Sequence, residues 1–380
     1  MGSESLIENK LAIVLNGGGA RASYQAGALR ALYEIIKKDQ NLFDIITGNS
    51  AGAINAIYLA NNARDWGSST QYLVDLWKRI KPEDVFDISH YTMGRIGSRW
   101  VKGTIFRDNS PGDPFNGILN TDPLRKLLLR EVDFKELHSL IQEKFISAVA
   151  LSTTNYYSGS SVVFFDGEKK IPEWSKSDRF SIRTELSVDH VMGSSAIPLF
   201  FPPVKIAHSY YGDGCIRQVT PLSPALHLGA TKLLTIGIRH RRTQETIKEL
   251  ALRTNAPPQI SQVGGVMMNA IFLDSLDADV ERLEKMNIMV AIMGKHSPWR
   301  HVPILHLNPS RDLGGMTKKL NSEMPKLLRY FLSSIGVTGQ SGLDLLSYLA
   351  FDASYTLQVT ELGYEDTLAR KNEILSFIET

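Results

Sequence analysis

Short apolar runs alternate with amphipathic stretches from the start of the chain. Leu11-Ala12-Ile13-Val14-Leu15 is a run of the buried-strand type. It stops at Asn16-Gly17-Gly18-Gly19 and gives way, from about Ala22 to Ile36, to a helical pattern with Ala26, Leu29, Leu32, Tyr33 and Ile36 on one face. A second run, Phe43 to Thr47, leads into Gly48-Asn49-Ser50-Ala51-Gly52, and another helix carries Ile54, Ile57, Tyr58 and Leu59. The order is strand, turn, helix, strand, turn, helix. Such a crossover is right-handed and sets its two strands parallel, which puts both glycine turns at the carboxyl end of one sheet.

Further along, residues 63 to 140 read as helices interrupted by a polar stretch with Gly and Pro between Asp87 and Gly117. Phe145 to Ser152 and Val162 to Phe165 read as strands. Val191 to Val204 is apolar, but Pro198, Pro202 and Pro203 make it a loop. Lys232 to Ile238 and Val302 to Leu307 are strand patterns, the latter rejoining the same sheet past a candidate boundary near residue 240. From about Met316 onward the pattern is mostly helical.

Composition narrows the classes. The chain has 380 residues, 43% hydrophobic and 22% charged, which suits a globular protein with an ample core. A formal net charge of +2 gives no electrostatic case for nucleic acid. The clearest basic run, Arg239-His240-Arg241-Arg242, has the ordinary reading of a solvated strand or helix end, with a membrane-facing role as the less common one. Cys215 is the single cysteine, so no intrachain disulfide forms, and no Cys/His spacing suits zinc. Leu11 to Leu15 is too short for a signal peptide, and no run is long enough to span a bilayer. We expect a cytoplasmic chain, with peripheral contact to a membrane allowed.

Gly48-Asn49-Ser50-Ala51-Gly52 fits G-x-S-x-G. A nucleophile on a sharp strand-to-helix turn needs Gly48 and Gly52, because side chains there would clash, and the turn presents Ser50 at a helix N-terminus. Gly17-Gly18-Gly19 offers open backbone N–H groups for an oxyanion, while Arg21 reads as a source of positive potential, as a brace for the loop, or as an ordinary arginine. The same loop also satisfies a dinucleotide fingerprint through Gly17, Gly19 and Ala22, with Asp39 or Asp44 as the ribose ligand. A serine needs a base. Asp213, between Gly212 and Gly214, is a carboxylate in a tight turn, and from the residues alone it reads either as that base or as a plain Asp-Gly turn. Cys215 beside it reads as a bystander.

Gly17-Gly18-Gly19-Ala20-Arg21, Gly48-Asn49-Ser50-Ala51-Gly52 and Asp213-Gly214 occur in the order and spacing of the patatin-like phospholipases, which this chain resembles over about residues 10 to 240. Ser194-Ser195-Ala196-Ile197-Pro198 with Phe201-Pro202-Pro203 is similar to that family's apolar segment ahead of the aspartate, and Ser341 to Tyr364 to the helical tail of bacterial members. Asn16 and Cys215 depart from the residues commoner at those two places.

The resemblance implies a three-layer α/β/α fold with a mainly parallel sheet, as a hydrolase domain over 1–310 with a helical extension over 311–380. It also implies a Ser50–Asp213 dyad acting on lipid or phospholipid esters, an oxyanion hole from Gly17, Gly18 and Gly19 with Arg21 beside it, and no metal or cofactor. A histidine triad through His190 or His208 is the alternative base arrangement. A dinucleotide-binding protein and a silent lipid-binding scaffold are the alternative functions. Met192, Ile197, Leu199, Phe200 and Phe201 read either as an acyl slot or as core. Asp87 to Gly117 reads as a lid or as a surface excursion.

Overall fold

A computed structural model describes residues 9–87, 117–241, 243–252, 257–317 and 342–379. Most of the stretch read as a lid, Arg242 of the basic run, and residues 318–341 of the helical tail lie outside the described residues.

Strand β1 (Leu11–Leu15) is followed by a short 3-10 turn (Gly19–Ala22) and α1 (Ser23–Ile36), then β2 (Ile45–Asn49) and α2 (Ala51–Asn61). Helices α3 (Trp66–Arg79), α4 (Pro82–Val85), α5 (Asp122–Glu131) and α6 (Phe134–Gln142) precede β3 (Ala148–Asn155), β4 (Ser161–Gly167), β5 (Ser175–Lys176) and β6 (Arg179–Arg183). Next come α7 (Val188–Ser194), β7 (Val204–Ile206), β8 (Ser209–Asp213), α8 (Ser223–His227) and β9 (Lys232–Ile236). The remainder holds α9 (Gln244–Ala251), α10 (Ile260–Phe272), α11 (Asp274–Met293), β10 (Ile304–Leu307), α12 (Leu343–Leu349), α13 (Ala353–Ala369) and α14 (Lys371–Glu379).

The sheet runs β10-β9-β1-β2-β3-β4-β6-β5. Its half from β10 to β3 is parallel throughout, so β10 does rejoin the sheet. At β3 it becomes mixed: β4 pairs antiparallel with it on the far edge, and β8 antiparallel on the near edge past the end of β2. Strand alternation divides the core in two. Ile13 and Leu15 face a thick layer that includes α1, α2, α3 and α13, whereas Ala12 and Val14 face a thinner one built from α8 and α11. That is the expected three-layer arrangement.

One expectation changes, and one element is new. Residues 191 to 204 are not loop throughout, because Val188–Ser194 is helical. Ser187 caps that helix, with His190 bonding back to the Ser187 amide, and the prolines that argued for loop all follow its end. The hairpin of β7 and β8 ahead of Asp213 is too short and too mixed in polarity to show as a strand pattern.

The late helices are integral to the thick layer. Helix α13 crosses α1 at backbone contact: a Cβ at Gly27 would lie 1.8 Å from the Thr360 carbonyl oxygen, and one at Gly363 would lie 2.1 Å from that of Tyr24. Thr360 Oγ1 donates to the Ser23 carbonyl across the crossing. Neither obstacle is a movable side-chain tip, so a methyl group must separate the helices. Gly363→Ala is expected to cost about 2 kcal/mol or more, at the upper part of the overpacking range. A urea titration reads this as a lowered midpoint.

Candidate active site

Strand β3 brings the chemistry together. On one edge it pairs parallel with β2, placing Ser152 opposite Asn49, the residue before Ser50. Further along that same edge, past the end of β2, it pairs antiparallel with β8, placing Thr153 opposite Asp213, while β4 occupies the other edge. Residues far apart in sequence thus end on adjacent positions at the carboxyl end of the parallel strands, beside the glycine turn that follows β1.

Ser50 has φ 53 and ψ −132, a left-handed conformation that an ordinary side chain rarely adopts. Close packing fixes the turn. A Cβ at Gly48 would meet the Gly52 carbonyl oxygen at 2.6 Å, and one at Gly52 the Leu15 carbonyl oxygen at 2.2 Å. Two hydroxyls clamp the strained residue: the Ser50 N–H donates to Ser194 Oγ (3.2 Å), and Ser195 Oγ donates to the Ser50 carbonyl (3.2 Å). Ser194 in turn donates to the Ser152 carbonyl at 2.7 Å.

Asp213 is fully buried. Its Oδ1 accepts from the Cys215 N–H at 2.9 Å, its N–H donates to Ala196, and its carbonyl accepts from Thr154 Oγ1. Oδ2 has no hydrogen-bond partner, and neither does Ser50 Oγ, although both are buried. The serine hydroxyl lies near enough to the carboxyl to favour its ionised form, without completing a well-formed hydrogen bond. Burial is the larger influence and pushes the carboxyl up to about 7, against smaller downward pulls from Ser50 and Cys215. The Cys215 thiol is pushed well up by burial and by the neighbouring carboxyl, so it stays protonated. It is nonetheless a wall of the site: Sγ would lie 2.8 Å from a Cβ at Gly17 and approaches Asn16 Oδ1 at 3.9 Å.

The glycine loop abuts Ser50, since a Cβ at Gly17 would lie 2.3 Å from that of Ser50. Ile238 packs against Gly18 and the Tyr348 backbone against Gly19. Asp39 and Asp44 precede β2 and so lie at the opposite end of the sheet, where Asp44 accepts from the Leu11 N–H. Neither histidine considered for a triad joins Asp213. His190 caps α7 through Ser187, and burial pushes its ring down to about 4. His208 is exposed in the turn between β7 and β8. Arg21 is buried and directed to the late helices, with Nε donating to Ser347 Oγ at 2.7 Å. In the basic run, Arg239 pairs with Asp274 and Arg241 with Asp277.

A largely apolar pocket opens beside Ser50. Gly19, Ser195, Ile54, Trp77, Leu124 and Phe351 are among its walls, and its space, part of it continuous with solvent, is about 480 Å³. Of the slot candidates, Ile197 and Phe201 line it, Met192 and Phe200 are buried elsewhere, and Leu199 is exposed. Sequence reasoning missed the hydroxyl roles of Ser194 and Ser195, which had stood only as part of an apolar-looking segment. It also missed Trp77 and Phe351, whose sole local signal was apolar character. Among the described residues, no three His, Cys, Asp or Glu side chains gather as metal ligands, and no helix is long and apolar enough to cross a membrane.

A strained serine on a strand-to-helix turn, facing a buried aspartate at the end of a three-layer α/β sheet, defines the class of a serine hydrolase-like α/β protein. The chain belongs to the patatin-like phospholipase family, whose model, described as "Patatin-like phospholipase", matches residues 13–226. It is 25% identical over 236 residues to a "cGAMP-activated phospholipase" of Vibrio cholerae, the match taking in 58% of either chain. The chain therefore spans little more than half the length of that relative. Similar solved structures include VipD of Legionella pneumophila (12% identity, TM-score 0.36, 96% of this chain and 67% of that one). Another is human GIVD cytosolic phospholipase A2 bound to methyl gamma-linolenyl fluorophosphonate (14% identity, TM-score 0.43, 98% of this chain and 58% of that one).

The buried carboxyl has a consequence for stability. Its folded value near 7 lies above the unfolded value of about 3.9. The fold therefore favours the protonated form, and the stability this contributes is full below about pH 4 and is lost as pH rises through 7. Asp213→Asn should accordingly melt above the parent at pH 8, with the gap closing toward pH 4. Melting temperatures of the two proteins across that range check the sign.

Proposed function

We propose that the chain is a serine acyl hydrolase of lipid esters, of phospholipase A or lysophospholipase type, working through a Ser50–Asp213 dyad. The observation that carries this reading is the pair of buried, partnerless atoms, Ser50 Oγ and Asp213 Oδ2, with Ser50 at the wall of an apolar pocket. Buried polar atoms are rarely left unsatisfied without a use. An aspartate whose carboxyl titrates near 7 is a far better proton acceptor than an exposed one.

In the proposed reaction the acyl chain lies along Ile54, Trp77, Leu124 and Phe351, bringing its ester carbonyl to Ser50. Ser50 Oγ attacks as Asp213 takes its proton, and the N-terminus of α2 favours the negative charge that develops. The glycine loop receives the oxyanion. Within it the Gly17 N–H is turned toward Cys215 Sγ, whereas the Gly18 and Gly19 N–H groups donate to no acceptor among the described residues. Gly18 and Gly19 are therefore the donors for the tetrahedral oxygen. The proton returns to the leaving alcohol, and water, activated in turn by Asp213, releases the fatty acid. No metal or cofactor takes part in this scheme. The pocket's apolar lining supports a lipid acyl chain over a short polar one.

Incubation with a fluorophosphonate, followed by peptide mass spectrometry, should place the label on Ser50. Ser50→Ala should lose label and at least about 10³-fold in hydrolysis of phosphatidylcholine and lysophosphatidylcholine vesicles. Substantial turnover by folded Ser50→Ala sinks the assignment. The acid limb of kcat/KM should have its midpoint near pH 7 and persist within about tenfold of parental activity in His190→Ala and His208→Ala, because the limb belongs to Asp213. A limb that vanishes with either histidine replaces the dyad by a triad.

A further inference from the structure

The glycine loop is anchored on both sides by helices from much later in the chain. On its amino side, Asn16 Nδ2 donates to the Phe272 carbonyl at the end of α10 (2.9 Å). On its carboxyl side, Arg21 reaches α12: Nε donates to Ser347 Oγ (2.7 Å), one terminal nitrogen donates to Asp344 Oδ1 (2.9 Å) and to the Asp344 carbonyl (3.2 Å), and the guanidinium lies 4.4 Å from the centre of the Tyr348 ring. Between the anchors, Gly19 has φ +56 and runs so close to α12 that a Cβ would lie 2.0 Å from the Tyr348 carbonyl oxygen. The partners are themselves joined. The Tyr348 hydroxyl donates to Asn269 Oδ1 (2.9 Å), and the Phe272 and Tyr348 rings are 5.2 Å apart. A closed circuit of contacts, Asn16 to Phe272 to Tyr348 to Arg21, thus surrounds the three glycines.

Arg21 is only 2% exposed. Removing a guanidinium from water is expensive, and here its carboxylate partner is a single aspartate whose own side chain is 36% exposed. Net charge or solubility gives no reason to bury it. What the arrangement uses is the planar fork, which at one time donates along two directions and stacks on a ring, as an ammonium group cannot.

We propose that Arg21 is a positioning residue for the oxyanion loop, fixing the amides of Gly18 and Gly19 by tying the loop to α12, so that residues 343–349 belong to the catalytic apparatus. The proposal rests on the reading of that loop as the oxyanion hole. An oxyanion donor acts through its placement in the transition state, and a shift of about 1 Å in such a group costs on the order of 10²-fold. Arg21 touches no substrate and acts only through the loop.

The test is turnover per functional nucleophile, with Ser50 counted by fluorophosphonate labelling taken to completion, so that loss of folded protein does not register as loss of rate. Arg21→Lys keeps the charge and loses the fork; it should lower kcat about tenfold or more while KM for a lysophosphatidylcholine stays within about twofold. Ser347→Ala should lower kcat by less. The double variant should fall short of the product of the two losses, because both act through one contact. Tyr364→Phe serves as the control. It removes the hydroxyl that bonds Glu34 on the outer side of α13, so it should lower the melting temperature and leave per-site kcat at the parental value. Parental per-site kcat in Arg21→Lys, or a change confined to KM, overturns the proposal whatever happens to stability. If Arg21→Lys does not fold, Ser347→Ala and Asp344→Asn decide, and parental kcat in both overturns it. Failure of the hydrolase reading is separate, since the unaltered protein would then neither label at Ser50 nor turn over ester.

Discussion

Desolvation of one carboxyl group organises the centre of this protein. Asp213 can sit without exposure only because β8 ends there, with its N–H, its carbonyl and one carboxylate oxygen each given a partner by Ala196, Thr154 and Cys215. The remaining oxygen is left bare beside a serine that is itself held in a costly backbone conformation. Two unfavourable terms, an unpaired buried carboxyl and a left-handed serine, are thus placed side by side. The surrounding close packing makes that juxtaposition tolerable: glycines against carbonyl oxygens, and serine hydroxyls on both sides of the Ser50 peptide. Strain and desolvation of this kind persist only where the rest of the fold over-determines the geometry.

The sheet explains why β3 is the strand on which everything turns. Parallel pairing delivers the Ser50 turn to the carboxyl end of the sheet, as the βαβ rule requires. A further parallel strand would bring another helix crossover to that end. The switch to antiparallel pairing at β3 instead lets a short hairpin run back along it and terminate at Asp213. The mixed character of the sheet is therefore a condition of the site.

Much of this was legible in the residues. The Leu11 to Leu15 run, the helix after it, the Ser50 turn and the strands at 232 and 302 declare themselves by local period and glycine chemistry, because a parallel core strand is apolar throughout and a nucleophile turn tolerates little else. Asp213 was legible only by its flanking glycines and by the order of motifs, since its burial depends on a hairpin with no clear alternation. Arg21 illustrates the limit more sharply. Its charge at a helix start marked it as unusual, but its partners lie more than 320 positions away, at Asp344 and Ser347. No local pattern encodes such a contact. The same holds for Phe351, which is one apolar residue among many until it becomes a wall of the pocket.

The crossing of α1 and α13 has an implication in time as well as in space. Ser23 and Thr360, bonded across it, are separated by 337 positions, so a growing chain displays the groove on α1 long before the helix that fills it has been made. Contacts of such long range form late, after loop closure over most of the chain. An apolar face with glycine at its centre is in that interval a ready seat for other apolar segments. The Ser50 turn, assembled from residues before position 62, meanwhile waits on helices beyond position 342 for the contacts its neighbouring glycine loop makes. The geometry around the glycine loop is by this arrangement deferred until residues 343 to 360 have been made.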